Sequence, residues 1–361
     1  MIKFIFVWLL LCLFSFTQQD LNLTLYNNIF SWVQYLGFYQ RPLATGLFLI
    51  LVFSFFWLYF KLLKHSFSWR WLILLVLISL PAYPLFSYDI FNYLFNAKMV
   101  LIYHVNPHLQ TAINFAFDPM LRFMHNVHTP APYAYGWTGL SLLPGLTWLT
   151  ENFTLSFWAM KLFIAAFWLG QLWILQKLVR RLFPQEPWRF WLFALNPLVL
   201  IETLINGHND VVMMFLALLS YWFFINSKKF RSLLFLLLSA SIKYVTIVLL
   251  PLFSLRGLRG VSSQAEKIDL PTLFSVALLL VMFIRPGQLH SWYLIWAFSF
   301  AVLAKPKWLI SIFTALTIGA VLRYAPYLYF GHWDPPVSLL RNLIWVLSLG
   351  FVPLIRKLML K

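Results

Sequence analysis

Acidic residues are scarce in this sequence: ten Asp and Glu stand against 27 Lys and Arg, which gives a formal net charge of +17. This excess does not indicate nucleic-acid binding, because the basic residues are scattered between apolar runs and form no single basic segment. An ionised carboxylate near lipid is costly unless it is solvated or paired. Each of the few carboxylates beside an apolar run is therefore a candidate for function.

Cysteine is nearly absent as well. Cys12 is the single cysteine and lies inside an apolar run, so the sequence has no disulfide framework and no cysteine metal site. The motifs G-x-G-x-x-G, G-x-x-x-x-G-K-[ST] and G-x-S-x-G are missing, which removes support for Rossmann or P-loop nucleotide binding and for a serine hydrolase. The pairs His104/His108 and His125/His128 have metal-compatible spacing, but loop histidines are common, and we predict no protein metal site.

Apolar residues are abundant, at 62% of the chain, and charged residues make up only 10%. Several runs of roughly 15–20 apolar residues are typical of membrane-spanning helices. We therefore predict an all-α, polytopic integral membrane protein, a single membrane domain over 1–361 with about 12 spans (roughly 11–13). The predicted spans are 4–16, 43–60, 71–86, 156–176, 190–205, 211–225, a broken pair across 232–255, 270–284, 292–304, 308–322 and 337–355.

Two short segments decide the topology. Residues 137–149 contain Pro144 and Gly145, so we place them in the membrane interface. Residues 232–255 contain Lys243 at their middle, so we predict two short helices that turn back there on the outer side. With an uncleaved first span and the N-terminus inside, most Lys and Arg are then cytoplasmic, as the positive-inside rule requires. If both segments were simple spans, this bias would disappear.

The topology divides the chain into two N-terminal spans within 1–69, an outer loop with interfacial helices at 87–155, and a bundle of the remaining helices at 156–355. Nearly all side chains that can do chemistry then lie on the outer face. They are Asp89, Lys98, Asn106, Asp118, Asp210, Lys243, Arg285, Asp334 and every histidine except His65.

Asp89 begins the outer loop, directly after a span. The residues that follow place apolar side chains on one helical stripe, which predicts a helix lying in the interface. The stripe consists of Ile90, Tyr93, Leu94, Ala97 and Leu101. Asp89 could be a simple N-cap of this helix. Its rarity and its position at a span edge favour a chemical role.

Residues 194–215 carry a second polar group. Glu202 lies inside an apolar span, and Asn206 and Asp210 follow at i+4 and i+8, so the three could share one helical face. Gly207 allows a break at the same point, which would make NGHND an outer-face turn. The alternatives are a helix cap within that turn and a structural, hydrogen-bonded role for Glu202.

Basic residues lie at two further outer positions. Lys243 has no acid nearby in the sequence, so it must reach an anion or snorkel to the interface. Arg285 and His290 flank a Pro-Gly turn before Trp292 and Tyr293. An aromatic belt explains the aromatic residues but not Arg285 and His290, and arginine suits a phosphoryl group.

These motifs follow a recognisable order: an acid heading the first-loop helix, an N-P beyond it, N-P-L…G-H-N-D, a lysine in a broken apolar pair, and H-x-W-Y-L-x-W. The order resembles the GT-C superfamily of polyprenyl-phosphate-sugar-dependent glycosyltransferases, over roughly residues 85–300. The likeness is greatest to bacterial α-mannosyltransferases and to the catalytic subunit of the first GPI mannosyltransferase. That family often has a second acid beside the first-loop aspartate, where this chain has Tyr88 and Asn92. The two spans before residue 70 are an addition to its usual plan.

The resemblance implies a GT-C fold and an inverting transfer of a hexose, by resemblance mannose, from a polyprenyl-phosphate-linked donor to a lipid-linked or glycan acceptor at the outer face. Asp89 corresponds to the essential first-loop aspartate and is our candidate base. The candidates for binding the donor phosphate are Lys243, Arg285, His290 and His208. The candidates for contacting sugar or acceptor are Glu202, Asn209, Asp210, Asn106, Trp292 and Tyr293.

No nucleic-acid partner is expected, and the other partners are membrane lipids of a prokaryotic plasma membrane. No cofactor is assigned, and a divalent cation stays open. Two alternatives are a transporter or flippase of lipid-linked sugars and a non-catalytic subunit of a glycan-assembly complex. A transport path should leave polar groups on both faces, often with internal repeats, and neither feature is present in the sequence.

Overall fold

The computed structural model describes residues 1–20, 23, 31–257, 269–284 and 289–360, and every regular element in these ranges is a helix. This confirms the all-α prediction. The α-helices are α1 (Ile2–Phe14), α2 (Ser31–Tyr39), α3 (Arg41–Leu62), α4 (Trp69–Ser79), α5 (Asp89–Leu101), α6 (Tyr135–Gly145), α7 (Phe153–Leu182), α8 (Trp188–Ala194), α9 (Pro197–Leu200), α10 (Asp210–Ile225), α11 (Lys229–Ala240), α12 (Leu250–Gly257), α13 (Leu270–Met282), α14 (Leu294–Ala301), α15 (Lys307–Leu322), α16 (Ala325–Phe330), α17 (Val337–Leu347) and α18 (Val352–Leu360). A π-helical turn at Ile201–Ile205 continues α9, and short 3-10 helices extend or connect several others.

Four helical stretches in these ranges are long and apolar enough to cross a membrane: Arg41–Leu62, Phe153–Leu182, Lys307–Phe330 and Val337–Leu358. A fifth span results if α8 and the stretch Pro197–Ile205, which are bent by 44°, cross together. All five coincide with predicted spans, as expected of a membrane protein. The total of about 12 spans stays a prediction, because a helix much shorter than 18 residues does not cover the hydrocarbon core alone.

Of the two segments that decided the topology, 232–255 is interrupted in the structure, and 137–149 changes from α-helix to 3-10 helix at Leu146. Lys243 is extended, with φ −145° and ψ 131°, between α11 and the helix Tyr244–Leu249. The Ser239 hydroxyl donates to the Thr246 hydroxyl across this break at 3.0 Å, so the chain folds back on itself there. Helix α6 has 11 residues, which cover about 16 Å, so it is too short to span a bilayer.

Helix α5 forms where it was predicted, but its surroundings correct the sequence interpretation. An interfacial helix should expose its polar face, yet Asn92 and Asn96 are only 2% and 7% exposed. Helices α6 and α7 and the outer loop pack around α5, and the Trp148 indole donates to the Leu94 carbonyl at 3.0 Å. Because other parts of the chain cover it on all sides, α5 is a core helix, and Asp89 at its start is held rigidly.

Asp118, one of the carboxylates predicted to lie on the outer face, has a structural role. It accepts hydrogen bonds from the Lys98 ammonium, from the Tyr103 hydroxyl at 2.6 Å and from the Met120 backbone N–H at 2.8 Å. These bonds fasten the outer loop to the end of α5. Burial raises the pKa of Asp118, but its partners outweigh burial and hold the pKa below the ordinary value.

Lys161 holds the chain segment that leads to Asp89. It is buried in α7 and donates to the carbonyl oxygens of Ser79 and Ala82, both at 2.6 Å. Helix α4 ends at Ser79, where the free carbonyl groups carry partial negative charge. The ammonium group therefore caps α4 and fixes where residues 80–88 begin.

Gly207 makes the break that the sequence indicated between Glu202 and Asp210. Its φ is +73°, and a Cβ there would lie 2.9 Å from the Ile90 side chain of α5. A side chain at such a φ costs about 1–2 kcal/mol. We therefore expect Gly207→Ala to lower the thermal unfolding midpoint of the purified protein and to reduce its activity.

Gly139→Ala in α6 is the matched control. A Cβ at Gly139 meets no atom within 4 Å, and alanine is a better helix former than glycine. Gly139→Ala should match or exceed the wild type in stability. If Gly207→Ala proved as stable as Gly139→Ala, the proposed strain at residue 207 would be refuted.

Candidate active site

A cavity of about 770 Å³ opens beside the start of α5, and residues from distant parts of the sequence line it. Five of the predicted site residues are among them: Asp89, Lys243, His290, Trp292 and Tyr293. Residues 125–134 of the outer loop form another wall. The fold thus brings the head of the first-loop helix, the lysine break and the start of the 292–304 segment together around one space.

Asp89 does not act as a helix cap. It is the first residue of α5, the N-cap position belongs to Tyr88, and no side chain caps the helix there. The Asp89 carboxylate is 19% exposed, and its Oδ2 lies 3.5 Å from Nδ1 of His208. The carboxylate therefore faces both the cavity and a buried imidazole.

His208 lies between two carboxylates. Its Nδ1 is 3.5 Å from Asp89 Oδ2, and its Nε2 is 3.3 Å from Glu202 Oε2. These are ion-pair distances, and neither ring nitrogen makes a hydrogen bond of regular geometry. Burial disfavours the imidazolium, but the two carboxylates outweigh burial and raise the pKa of His208 to about 9. His208 is therefore positively charged at neutral pH.

The same contacts keep Asp89 ionised. Burial raises the pKa of the Asp89 carboxyl, but His208, Lys243 and His290 outweigh burial and hold the pKa below its ordinary value. A carboxylate that is ionised, partly exposed and oriented from behind by an imidazolium can accept a proton from a bound hydroxyl.

Glu202 lies beneath the cavity and does not line it. It is fully buried and accepts hydrogen bonds from the Asn206 amide at 2.6 Å and from the Tyr324 hydroxyl at 2.9 Å. Asn206 in turn accepts the backbone N–H groups of Leu85 and Phe86, just before Asp89. The predicted contact at i+4 is confirmed, whereas the shared face with Asp210 is wrong, because the helix ends before Gly207. Glu202 contacts His208 and no space for a sugar.

Asp210 and Lys243 form a second charged pair. Lys243 Nζ lies 2.8 Å from Asp210 Oδ2, and the Trp296 indole donates to Oδ1 of the same carboxylate. Asp210 is buried, while the Lys243 side chain is 16% exposed at the cavity. Lys243 does reach an anion, as predicted, and that anion is a carboxylate of the protein itself. Asp210 therefore supports Lys243 from beneath, and neither snorkelling nor capping by Asp210 describes this region.

Aromatic rings lie next to both charged groups, that of His208 with its two carboxylates and that of Asp210 with Lys243. The His208 ring stacks on Trp292 with centroids 4.0 Å apart, and Trp292 stacks on His290 at 4.3 Å. Tyr293 stacks on Trp296 at 4.2 Å. Burial lowers the pKa of His290 to about 4, so His290 is neutral at pH 7 and offers a hydrogen bond rather than a charge.

Asn106 and Asn209, like Glu202, His208 and Asp210, are not among the residues that line the cavity. Asn106 lies in a separate groove, where its amide bonds Tyr135 at 3.5 Å and the His108 N–H at 2.9 Å, so its assignment to the same site is corrected. Asn209 is buried beneath the cavity, and its side-chain amide has no hydrogen-bond partner within the described ranges. Arg285 lies outside the residues that the structure describes.

Sequence reasoning missed two arginines, Arg323 and Arg341, that line the cavity. Their positions in the sequence could have marked them as candidates. Both fall at the predicted outer ends of the last two predicted spans, where the positive-inside rule makes arginine unusual. Tyr88, Tyr133 and Trp333 also line the cavity and give it an aromatic wall. The described part of the chain contains no group of three or more His, Cys, Asp or Glu arranged to hold a metal ion.

An all-helical fold with membrane-length apolar helices, and a cavity that combines an ionised carboxylate, guanidinium groups and aromatic rings, is typical of membrane enzymes that act on polar substrates. The chain belongs to the MptA_B family: the model of this family, described as alpha-(1->6)-mannopyranosyltransferase, N-terminal domain, matches residues 9–258. The match confirms the resemblance to bacterial α-mannosyltransferases. No curated protein and no solved structure matches the chain.

Membership makes the protein a glycosyltransferase of the mannosyltransferase class. The alternatives of a transporter and of a non-catalytic subunit are not supported by this result. The matched residues include Asp89, Glu202, His208, Asp210 and Lys243. His290, Trp292, Arg323 and Arg341 lie beyond the match and are placed at the cavity by the structure alone.

Proposed function

We propose that the protein transfers mannose, with inversion, from a polyprenyl-phosphate-linked donor to a glycan acceptor at the outer face of the membrane. The observation that supports this most is the cavity where Asp89, Lys243, His290 and two aromatic residues meet. By the description of its family, the linkage formed is α-(1→6). The acceptor is then a lipid-linked or free glycan with an available 6-hydroxyl group.

Asp89 is the proposed base. As the acceptor oxygen attacks the anomeric carbon, Asp89 takes the hydroxyl proton, and the bond between the anomeric carbon and the phosphate oxygen breaks. The bonding electrons leave with the polyprenyl phosphate. His208, charged and stacked on Trp292, holds the Asp89 carboxylate in place, and Glu202 balances the imidazolium from the other side.

The leaving phosphate gains negative charge as the bond breaks, so cationic and hydrogen-bonding groups around it lower the barrier. Lys243 and neutral His290 supply such groups at the cavity. Trp292 and Tyr293 offer flat faces for the sugar ring. Asp210 is buried and supports Lys243 through their ion pair.

The charge distribution supports a reaction at the outer face. Basic loops lie on the predicted cytoplasmic side, and the cavity residues lie on the opposite side. A lipid-phosphate donor brings mannose to that face without a nucleotide, and its prenyl chain lies along the apolar helices. A prokaryotic plasma membrane is the matching location.

The test uses purified protein in lipid nanodiscs with labelled polyprenyl-phosphate-mannose and an α-mannoside acceptor. Polyprenyl-phosphate-glucose and GDP-mannose serve as competing donors, each assayed with and without chelator. We expect transfer from polyprenyl-phosphate-mannose, with a product anomer opposite to that of the donor. Transfer from GDP-mannose alone, or retention of the donor anomer, would overturn the proposal.

A further inference from the structure

Two arginines also line the cavity, and neither has a carboxylate within ion-pair distance in the described part of the chain; Glu202 acts on Arg323 only from further away. Arg323 follows α15 and is 3% exposed. Its guanidinium donates to the Leu289 carbonyl at 2.9 Å and to the Asn342 side-chain oxygen at 3.3 Å. Both acceptors are neutral, so they orient the guanidinium group without balancing its charge.

Arg341, on α17, is less constrained by its neighbours. Its guanidinium lies 5.8 Å from the Trp333 ring, and its Nε is buried without a hydrogen-bond partner in the part of the chain that the structure describes. Arg323 and Arg341 are close enough for their charges to repel each other. Two adjacent cations, one of them with a buried donor that lacks an acceptor, make a strong site for an anion.

The described carboxylates near the cavity are in closer contact with other cations than with the two arginines. Asp89 and Glu202 contact His208, and Asp210 contacts Lys243. Asp334, near in sequence, is 87% exposed and lies 3.9 Å from His332. Lys243 differs from the arginines in this respect, because its ammonium group is already balanced by a buried carboxylate at 2.8 Å.

We propose that Arg323 and Arg341 form the binding site for the phosphodiester of the lipid-linked donor, and that Lys243 has a secondary role there. The inference rests on the proposed function and assigns its phosphate site to residues beyond the family match. Arginine presents a planar fork of N–H groups that fits two phosphate oxygens at once. The partnerless Nε of Arg341 and the cavity between the two residues fit this mode of binding.

The test measures binding without turnover. Wild-type protein in nanodiscs is titrated with polyprenyl phosphate, the leaving product, and separately with the α-mannoside acceptor. We expect Arg341→Gln to weaken polyprenyl phosphate binding by about tenfold to a hundredfold, as for the loss of a charge-assisted hydrogen bond. Acceptor binding should stay within about twofold of wild type.

Three further variants complete the test. Arg341→Lys keeps the charge without the fork and should be intermediate. Arg323→Lys preserves a cation at the buried position and reports on that site even if Arg323→Gln does not fold. Arg231→Gln, on the exposed start of α11 and away from the cavity, is the matched control and should bind like wild type.

The outcomes separate the two proposals. If the wild type binds polyprenyl phosphate and Arg341→Gln binds it equally well, the arginine site is wrong while the donor class stands. If Arg341→Gln weakens only acceptor binding, the pair serves the acceptor and the inference is overturned. If the wild type neither binds polyprenyl phosphate nor uses its mannose ester, the proposed function itself fails.

Discussion

Asp89→Asn protein is expected to fold and insert normally and to transfer mannose about 10²–10⁴-fold more slowly than wild type, the range that a general base contributes. Asparagine keeps the shape of the side chain but cannot take the acceptor proton. The Asp89 carboxylate is partly exposed at the cavity and makes no structural cap. Its loss removes one of the two partners of the His208 imidazolium, so stability should fall, but Glu202 remains as the second partner and the rate should fall far more. The measurement is kcat/KM with the lipid-linked donor, beside a thermal unfolding curve.

Asp334→Asn is the matched control, because Asp334 is a carboxylate predicted on the same face of the membrane and is 87% exposed. It should retain wild-type activity. A folded Asp89→Asn protein that turned over at the wild-type rate would exclude Asp89 as the base. A variant that lost both activity and folded structure would contradict the expectation that the protein folds without this carboxylate, and Asp89→Glu would then show whether a displaced carboxylate restores the rate.

The sequence predicted the helices and chain breaks of this site better than the contacts around them. Apolar runs give helices, and a lysine or glycine inside such a run marks a break, so the chain reversal at Lys243 and the turn at Gly207 were both predictable. Asp89 at the head of α5 follows from the same pattern. These features depend only on residues that are close together in the sequence, so the helical periodicity and its interruptions are enough to predict them.

The partners of those residues depend on contacts between distant segments. Asp210 and Lys243 are separated by 33 residues and Asp89 and His208 by even more, and nothing in a local window pairs them. For the same reason α5 was expected at the interface: its periodicity shows an apolar stripe, but the chain that covers Asn92 and Asn96 comes from elsewhere in the fold.

His208 is the residue whose loss should do the greatest harm to the site as a whole. His208→Ala leaves the carboxylates of Asp89 and Glu202 facing a space with no cation between them. Breaking a buried ion pair in this way costs about 3–5 kcal/mol of folding free energy. Repulsion between the two carboxylates should also raise the pKa of Asp89 and reduce activity at neutral pH.

Variants at residues 208 and 202 distinguish the effect of the lost charge on stability from the effect of the lost side-chain volume. His208→Gln fills most of the space without a charge, and Glu202→Gln removes one of the two repelling carboxylates. We expect the double variant to have a higher unfolding midpoint than His208→Gln alone, although it carries one more substitution. If the double variant were less stable than wild type by the sum of the two single-variant effects, the charges of His208 and Glu202 would not be coupled.

The charge of the His208 imidazolium should make the stability of the folded protein depend on pH. The pKa of His208 is about 9 in the folded protein, against 6.5 for an ordinary histidine. The folded state binds this proton more tightly, so the stabilisation is fully present below pH 6.5 and is lost as pH rises through about 9. The difference corresponds to about 3 kcal/mol.

Asp89 does not contribute in this window, because its pKa is lowered and it titrates only in acid. The unfolding midpoint of wild type in detergent, relative to that of His208→Gln at the same pH, should therefore fall between pH 6.5 and 9. An equal decline in both proteins would show that His208 is not the buried cation between the two carboxylates.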